Sequence, residues 1–287
     1  MSNRAFNNTQ PISSKIAPQI QQEIINKIVD KYPTIEYLPI GSVGKKKDND
    51  FNGDIDIAIK CKDIEELENI INNVFNSLET LKIESLYIIS IDYPYHNQDK
   101  IMYVQCDFMI MWDKDYTAFR YYCPDYRNNE SKYKVGPKIM FANMILNHCQ
   151  EKNNNLNDDE VGQFAFRPTA LFRYIYKKDL SKYKEEYITN DPIEIAGYAF
   201  KDSNPAHFNS IETLWQAIHT NNFKYPDQVK ELEKNLFKNC FRKGWSDIIP
   251  EDFKLEYWDN ETIWKIINEQ KLYYLINKLG IKKDDIK

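Results

Sequence analysis

The apolar residues Ile20, Ile24, Ile25, Ile28 and Val29 recur at helical spacing, and they predict a helix that ends before Pro33. Ile35–Ile40 then reads as a strand, and a second apolar run closes at Ile59. Asp63, with Glu66 three residues on, has the form of a capping box. Leu67, Ile70, Ile71, Val74, Phe75 and Leu78 follow at helical period, which predicts a helix packed on a sheet. Two strand-like runs, Ile83–Ile91 and Ile101–Trp112, flank the turn-rich segment Asp92–Asp99 and predict a long antiparallel hairpin. Helix, strand, loop, strand, helix, strand, strand is the order of a small unit built on a mixed sheet.

Beyond Trp112 the period changes. Amphipathic helical stretches predominate at Ile139–His148, Pro168–Tyr176, Ile211–Ile218, Val229–Phe237 and Ile263–Leu279, separated by polar loops such as Glu151–Glu160 and Asp202–Pro205. Residues 1–16 carry no apolar period and predict a flexible arm. The expected class is α+β: a mixed sheet with flanking helices over residues 17–115, then a mostly helical domain over residues 116–287.

The chemistry concentrates between Ile40 and Ile59. Gly41-Ser42 directly follows the first strand, and Asp54-Ile55-Asp56 opens the next apolar run after the spacer 43–53. Side chains alternate along a strand, so Asp54 and Asp56 share a face. Two carboxylates side by side repel each other and give folding nothing, whereas Mg²⁺ takes carboxylate and phosphate oxygens together. Asp107, between Cys106 and Phe108 in the last strand, is a third candidate, with Gln105 and Met109 on its face. If that strand lies beside the first pair, three carboxylates converge as two-metal phosphoryl transfer requires. Asp54 and Asp56 would hold one ion, all three aspartates the second, and Asp107 would orient or deprotonate a hydroxyl. The Gly41-Ser42 turn would present backbone N–H groups and a hydroxyl to phosphate, with Lys45, Lys46 and Lys47 adding positive charge. Each of those lysines is equally well a solvated turn residue.

The ordered set Gly41-Ser42, Asp54-Ile55-Asp56-Ile57 and Asp107 resembles the polymerase-β-type nucleotidyltransferase superfamily. That family includes poly(A) polymerases, CCA-adding enzymes, cyclic-dinucleotide synthases and antibiotic nucleotidyltransferases, and the form of the loop is also similar to stand-alone phage nucleotidyltransferases. The resemblance covers residues 35–110. It implies a nucleotidyltransferase-like sheet, an NTP substrate, ATP or another, two Mg²⁺ or Mn²⁺ ions, and a helical domain that helps hold nucleotide and acceptor. On this pattern Lys138, at the start of the helix Ile139–His148, is a candidate triphosphate contact and Tyr133 a base-stacking residue; the alternative, slightly preferred for each residue, is a basic helix N-terminus on the surface. The cluster Arg167–Tyr174 mixes arginines with aromatic residues and is a candidate for phosphate contact, although Phe172 and Tyr176, at helical spacing, are more often core residues. Trp215, Trp245, Trp258 and Trp264 read as packing residues.

Composition narrows the acceptor only slightly. A net charge of −5 over 287 residues argues against a long basic channel and leaves room for a short one. An RNA 3′ end is the favoured acceptor. A small molecule, a second nucleotide, or a non-catalytic nucleotide-binding or structural module are the alternatives. Retention of the whole aspartate and Gly-Ser set speaks against the last. No run is long and apolar enough for a membrane span, and the first residues lack a signal-peptide core. The five scattered cysteines form no CxxC pair, which fits a reducing, cytoplasmic setting better than a disulfide framework.

Overall fold

The protein is described by a computed structural model over residues 6–44, 50–76, 78–83, 88–97, 100–121, 135–149, 156–157, 160–177 and 183–242. Its first part runs β1 (Ile12–Ser13), α1 (Ala17–Lys31), β2 (Tyr37–Ile40), β3 (Phe51–Asn52), β4 (Asp54–Lys60) and α2 (Ile64–Val74). It continues through β5 (Thr80–Ile83), β6 (Ile88–Asn97), β7 (Lys100–Met111) and α3 (Lys114–Tyr121). Five strands form one mixed sheet in the order β2-β4-β7-β6-β5. β4 and β7 are parallel, and the other neighbours are antiparallel. A parallel pair needs a crossover, and α2, β5 and β6 supply it.

One face of this sheet is apolar because isoleucine occupies alternate positions of β4. Ile55, Ile57 and Ile59 are fully buried with Cys106, Phe108 and Ile110 of β7. α1 covers that face with Ile20, Ile24, Ile25 and Ile28, and α2 covers it with Leu67, Ile70 and Ile71. Burial of each such isoleucine is worth about 1.5–3 kcal/mol, so this layer carries much of the fold's stability. α2 starts where the sequence places it. The Asp63 carboxylate accepts from Glu66 N at 2.9 Å, and Glu66 Oε2 accepts from Lys62 N at 2.8 Å. Glu65 and Glu66 also place negative charge at the positive end of the helix dipole.

Three expectations for this part change. Residues 6–16 do not form a loose arm: β1 pairs with β3, Phe6 and Ile12 are buried, and Gln10 N donates to Tyr103 O. A segment of eleven mostly polar residues has too few apolar positions to show a period, yet its two buried apolar side chains, Phe6 and Ile12, anchor it. β6 continues through Tyr93, Pro94 and Tyr95 to Asn97, because both tyrosines alternate into the helix-covered core. The run at Ile83 belongs to a separate edge strand, β5.

Later elements are α4 (Val135–His148), β8 (Glu160–Phe166), β9 (Leu171–Lys177), β10 (Tyr183–Thr189), α5 (Pro192–Ala199), α6 (Ile211–Ile218) and α7 (Val229–Arg242). The helices at Ile139, Ile211 and Val229 occur as read. Pro168–Tyr176 is not helical: Leu171-Phe-Arg-Tyr-Ile-Tyr-Lys177 is strand β9, in a three-stranded sheet of order β8-β9-β10. Aromatic and β-branched residues favour a pleated surface, and Phe172 and Tyr176 four apart fit either period. The remainder is thus mixed over its described residues. Ile263–Leu279, Trp245, Trp258 and Trp264 lie outside them.

Two compact units emerge, one of Met1–Val135, Phe166–Phe172 and Glu186–Pro192, the other of Gly136–Ala165, Arg173–Glu185 and Ile193–Lys287. In the first, Tyr116 OH donates to Arg167 O and Arg120 Nε donates to Phe166 O, which ties the returning segment to α3. In the second, Trp215 is buried against Phe141, as a packing residue should be. No helix among the described residues is long and apolar enough to cross a membrane.

Candidate functional site

The sheet face turned away from α1 and α2 is organised in cross-strand rows. Register pairs Ile40 with Asp56, Asp56 with Asp107, and Asp107 with Ser90. The next row towards the start of β4 holds Asp54, Gln105 and Asp92. On the other side, Leu38, Ala58, Met109 and Ile88 form a small apolar cluster with Ile40, Met111 and Tyr121. Two of the three predicted carboxylates are therefore direct neighbours on parallel strands, roughly 4.8 Å apart along the ladder, and the third lies one row away. Asp54, Asp56 and Asp107 are all half-buried.

Asp107 is held by its neighbours. Ser90 Oγ donates to its Oδ1 at 2.7 Å, and Gln105 Nε2 donates to both oxygens at 3.0 and 3.2 Å. Burial pushes the Asp107 carboxyl above its ordinary value, the Ser90 and Gln105 hydrogen bonds pull it back, and the Asp54 charge pushes it up. The net direction is upward. On the opposite face the Cys106 thiol is also pushed up, by burial first and then by the Asp107, Asp56 and Asp54 charges. The aspartates thus form one negative field. α1 reaches β4 at the same level, where Gln21 Nε2 donates to Asp56 O at 3.1 Å.

The Gly41 turn lies against this row. Gly41 has φ +77°, and a Cβ there would stand 1.9 Å from Asp56 Oδ2, so only glycine fits. Ser42 is half-buried, and its Oγ accepts from Asn52 Nδ2 at 2.8 Å. Asn52 Oδ1 in turn accepts from Ser14 Oγ at 2.8 Å.

The structure thus brings together Gly41, Ser42, Asp54, Asp56 and Asp107 within the first unit. It does not do so for every candidate. Lys45, Lys46, Lys47 and Tyr133 lie outside the described residues. Lys138 belongs to the second unit, on α4, and is 2% exposed, which makes it a core lysine there and not a solvated one. Arg167 and Arg173 fall in different units. Sequence reasoning misses the parts played by Ser14, Ser90, Asn52 and Gln105. Of these only Gln105 carries a signal, its position two residues before Asp107 on the same strand face.

By chemistry the donor set fits hard divalent cations: oxygen ligands only, on one face, in adjacent rows. The side chains as placed, with Asp107 turned to Ser90 and Gln105, do not make a ready ligand cage. Among the described residues no group of three or more His, Cys, Asp or Glu is placed to hold a metal ion. A comparison with known protein families finds no matching family model, and a comparison with curated proteins finds no match.

Proposed function

We propose that this face is a metal-dependent nucleotidyl-transfer site of the polymerase-β type, which moves a nucleoside monophosphate from an NTP to a hydroxyl acceptor, with an RNA 3′ end as that acceptor. The observation that carries it is the pairing of Asp56 with Asp107 on adjacent parallel strands, with the Gly41 turn pressed against Asp56. An acidic row under a glycine turn is unfavourable for folding and suits a cation and a polyphosphate.

In this reaction the acceptor oxygen bonds to the α-phosphorus. The bond from that phosphorus to the α–β bridging oxygen breaks, and pyrophosphate leaves with the electron pair. Mg²⁺ or Mn²⁺ bound by Asp54, Asp56 and Asp107 supplies the positive charge that a triphosphate needs at so acidic a face. Asp107 orients the acceptor hydroxyl and takes its proton on Oδ2, the more weakly held oxygen, 3.2 Å from Gln105 Nε2. Gly41 lets the turn approach closely, and Ser42 donates its hydroxyl to a phosphate oxygen.

The test is a transfer assay with four α-labelled NTPs, Mg²⁺ or Mn²⁺ and total RNA, beside a double variant, Asp54→Asn with Asp56→Asn. Label on RNA with the intact protein alone supports the reading. Label in a small soluble product moves the acceptor to a small molecule or second nucleotide. One observation favours a second reading, a nucleotide-binding module without turnover: both oxygens of Asp107 are already engaged internally. Nucleotide binding with no transfer to RNA, to small molecules or to a second nucleotide would establish it.

A further inference from the structure

His219 is the C-cap residue of α6, so its ring stands where the last carbonyls of the helix leave a partial negative charge. Both ring nitrogens face oxygen: Nδ1 lies 2.7 Å from Trp215 O, and Nε2 lies 2.8 Å from Glu233 Oε1 on α7. A backbone carbonyl only accepts hydrogen bonds, and so does an ionised carboxylate. Neutral imidazole has one N–H, so it satisfies one of these contacts and sets a lone pair against oxygen in the other. Imidazolium satisfies both. The proton count is the same if the proton between Nε2 and Oε1 rests on the oxygen. The Trp215 ring, its centroid 4.8 Å from that of His219, also favours a cation. Glu233 is 7% exposed, and a carboxylate so far from water needs a bonded counter-charge. Among the described residues His219 and Glu233 make no other side-chain hydrogen bond or ion pair. The other ionisable side chains of the two helices near this pair are Glu212 on α6 and Lys230, Glu231 and Lys234 on α7. From α4 come Lys138, one turn before the Phe141 that packs on Trp215, and His148, which meets Gln228 and Asn235 instead. Lys224 and Asp227 lie in the connection between α6 and α7.

We infer that His219 and Glu233 form a proton-operated clasp between α6 and α7: with the proton bound the clasp is shut, and with the proton lost α7 loosens from α6. Loss of the proton leaves two neutral forms, and both weaken the link. The Nδ1–H form keeps the Trp215 carbonyl and faces a buried carboxylate with a lone pair. The Nε2–H form keeps Glu233 through an uncharged donor, and its ring is pushed off the carbonyl. Folding takes up this proton, so the clasp contributes where His219 is charged and its contribution is lost as pH rises. Histidine ordinarily changes charge between about pH 5 and 8, which places such a device within reach of ordinary solution conditions. The clasp is independent of the nucleotidyl-transfer reading, because both helices belong to the second unit and the aspartates to the first.

The test uses the full chain and two measurements over one pH series, extended upward until His219 has lost its charge. Nitrogen-15 labelling of histidine gives four ring systems to follow by NMR, and His219→Gln identifies the one that belongs to His219. Hydrogen exchange of α7 amides, corrected for the pH dependence of intrinsic exchange, reads how firmly that helix is held. The expected result is a His219 ring with protons on both nitrogens at the acid end. As that ring loses its charge, α7 protection should fall roughly tenfold, the effect of losing one hydrogen bond between charged groups. Glu233→Gln separates the clasp from a general effect of pH. Its amide N–H can donate to Nε2 of a neutral imidazole whose Nδ1–H stays on Trp215 O, so the contact survives without the extra proton. In that variant α7 protection should no longer follow the charge of His219. A His219 ring that is neutral throughout the series overturns the clasp. So does α7 protection that stays level while the parent His219 titrates, a result that needs no variant to fold. The same fall in Glu233→Gln as in the parent overturns it as well.

Discussion

Replacing Gly41 by alanine tests how tightly the turn and the acidic row are joined. Two glycines in the loop have nearly the same backbone, φ +77° at Gly41 and φ +76° at Gly44, so both replacements incur the left-handed penalty of about 1–2 kcal/mol. They differ in what the new methyl meets. At Gly44 nothing among the described residues lies within 4 Å, whereas at Gly41 the Cβ would stand 1.9 Å from Asp56 Oδ2, 2.7 Å from its Cγ and 2.9 Å from its Cβ. Rotation of the Asp56 side chain clears the first two contacts but not the third, because Cβ moves only with the backbone of β4. The turn or the strand has to shift, and overpacking of that kind adds about 1–3 kcal/mol. Gly41→Ala should therefore cost about 2–5 kcal/mol and Gly44→Ala about 1–2 kcal/mol. Urea midpoints at a common slope read the difference. In an Asp56→Ala background two of the three close atoms are gone, so the Gly41→Ala cost should drop by about 0.5–3 kcal/mol, as expected for residues in contact. Equal costs at Gly41 and Gly44, or the same Gly41 cost in both backgrounds, would show that the turn does not rest on Asp56.

Asp56→Asn should abolish nucleotidyl transfer while the circular dichroism spectrum is retained; undiminished turnover in labelled-NTP assays removes Asp56 from the metal site. Asp107→Asn should leave the metal-free protein at least as stable as its parent, because burial and Asp54 disfavour the charged form on balance; a melting temperature lower by several degrees in chelator contradicts that. The Asp107 carboxyl is raised in the folded state, so its stabilising contribution is complete below the ordinary carboxylate value and is lost as pH rises through the raised one. Ser90→Ala removes a hydrogen bond that lowers it, so in the metal-free protein that loss should move to higher pH; a shift to lower pH reverses the assignment. Burial pushes the Cys61 and Cys149 thiols up to about 12, and Cys106 is pushed well up too, so alkylation at neutral pH mapped by mass should leave all three unlabelled until denaturant is added.

The parts of this architecture legible in sequence are those with a strong local period. α1, α2 and α6 are readable because their buried residues fall three and four apart, and β4 because Ile55, Ile57 and Ile59 alternate with Asp54, Asp56 and Ala58. Alternation also places Gln105 and Asp107 on one face. What alternation cannot give is the neighbour: that β7 lies beside β4, with Asp107 opposite Asp56, depends on long-range pairing that leaves no local mark. β1 and β3 are two residues each, too short for any period, so the contact of Ser14 with Asn52 is invisible in the sequence. β9 misleads for the opposite reason, since its aromatic spacing satisfies two periods at once.

The two faces of the sheet divide the work between stability and site. Two carboxylates roughly 5 Å apart on neighbouring strands repel by about 3 kcal/mol at an effective dielectric constant of 20. On the other face, β4 alone buries three isoleucines at about 1.5–3 kcal/mol each, which offsets that repulsion. Because successive side chains point in opposite directions, the same seven-residue strand carries both loads: its even-numbered residues can be acidic only because its odd-numbered ones are anchored under α1 and α2. A strand with a solvated acidic face would need none of the rest. It would not need Gly41 in a conformation that fits only without a Cβ, Ser90 and Gln105 aimed at Asp107, or a buried asparagine behind Ser42. Those features cost conformational freedom and buried polar contacts, and together they favour a site built to receive a polyanion over an acidic surface left by chance.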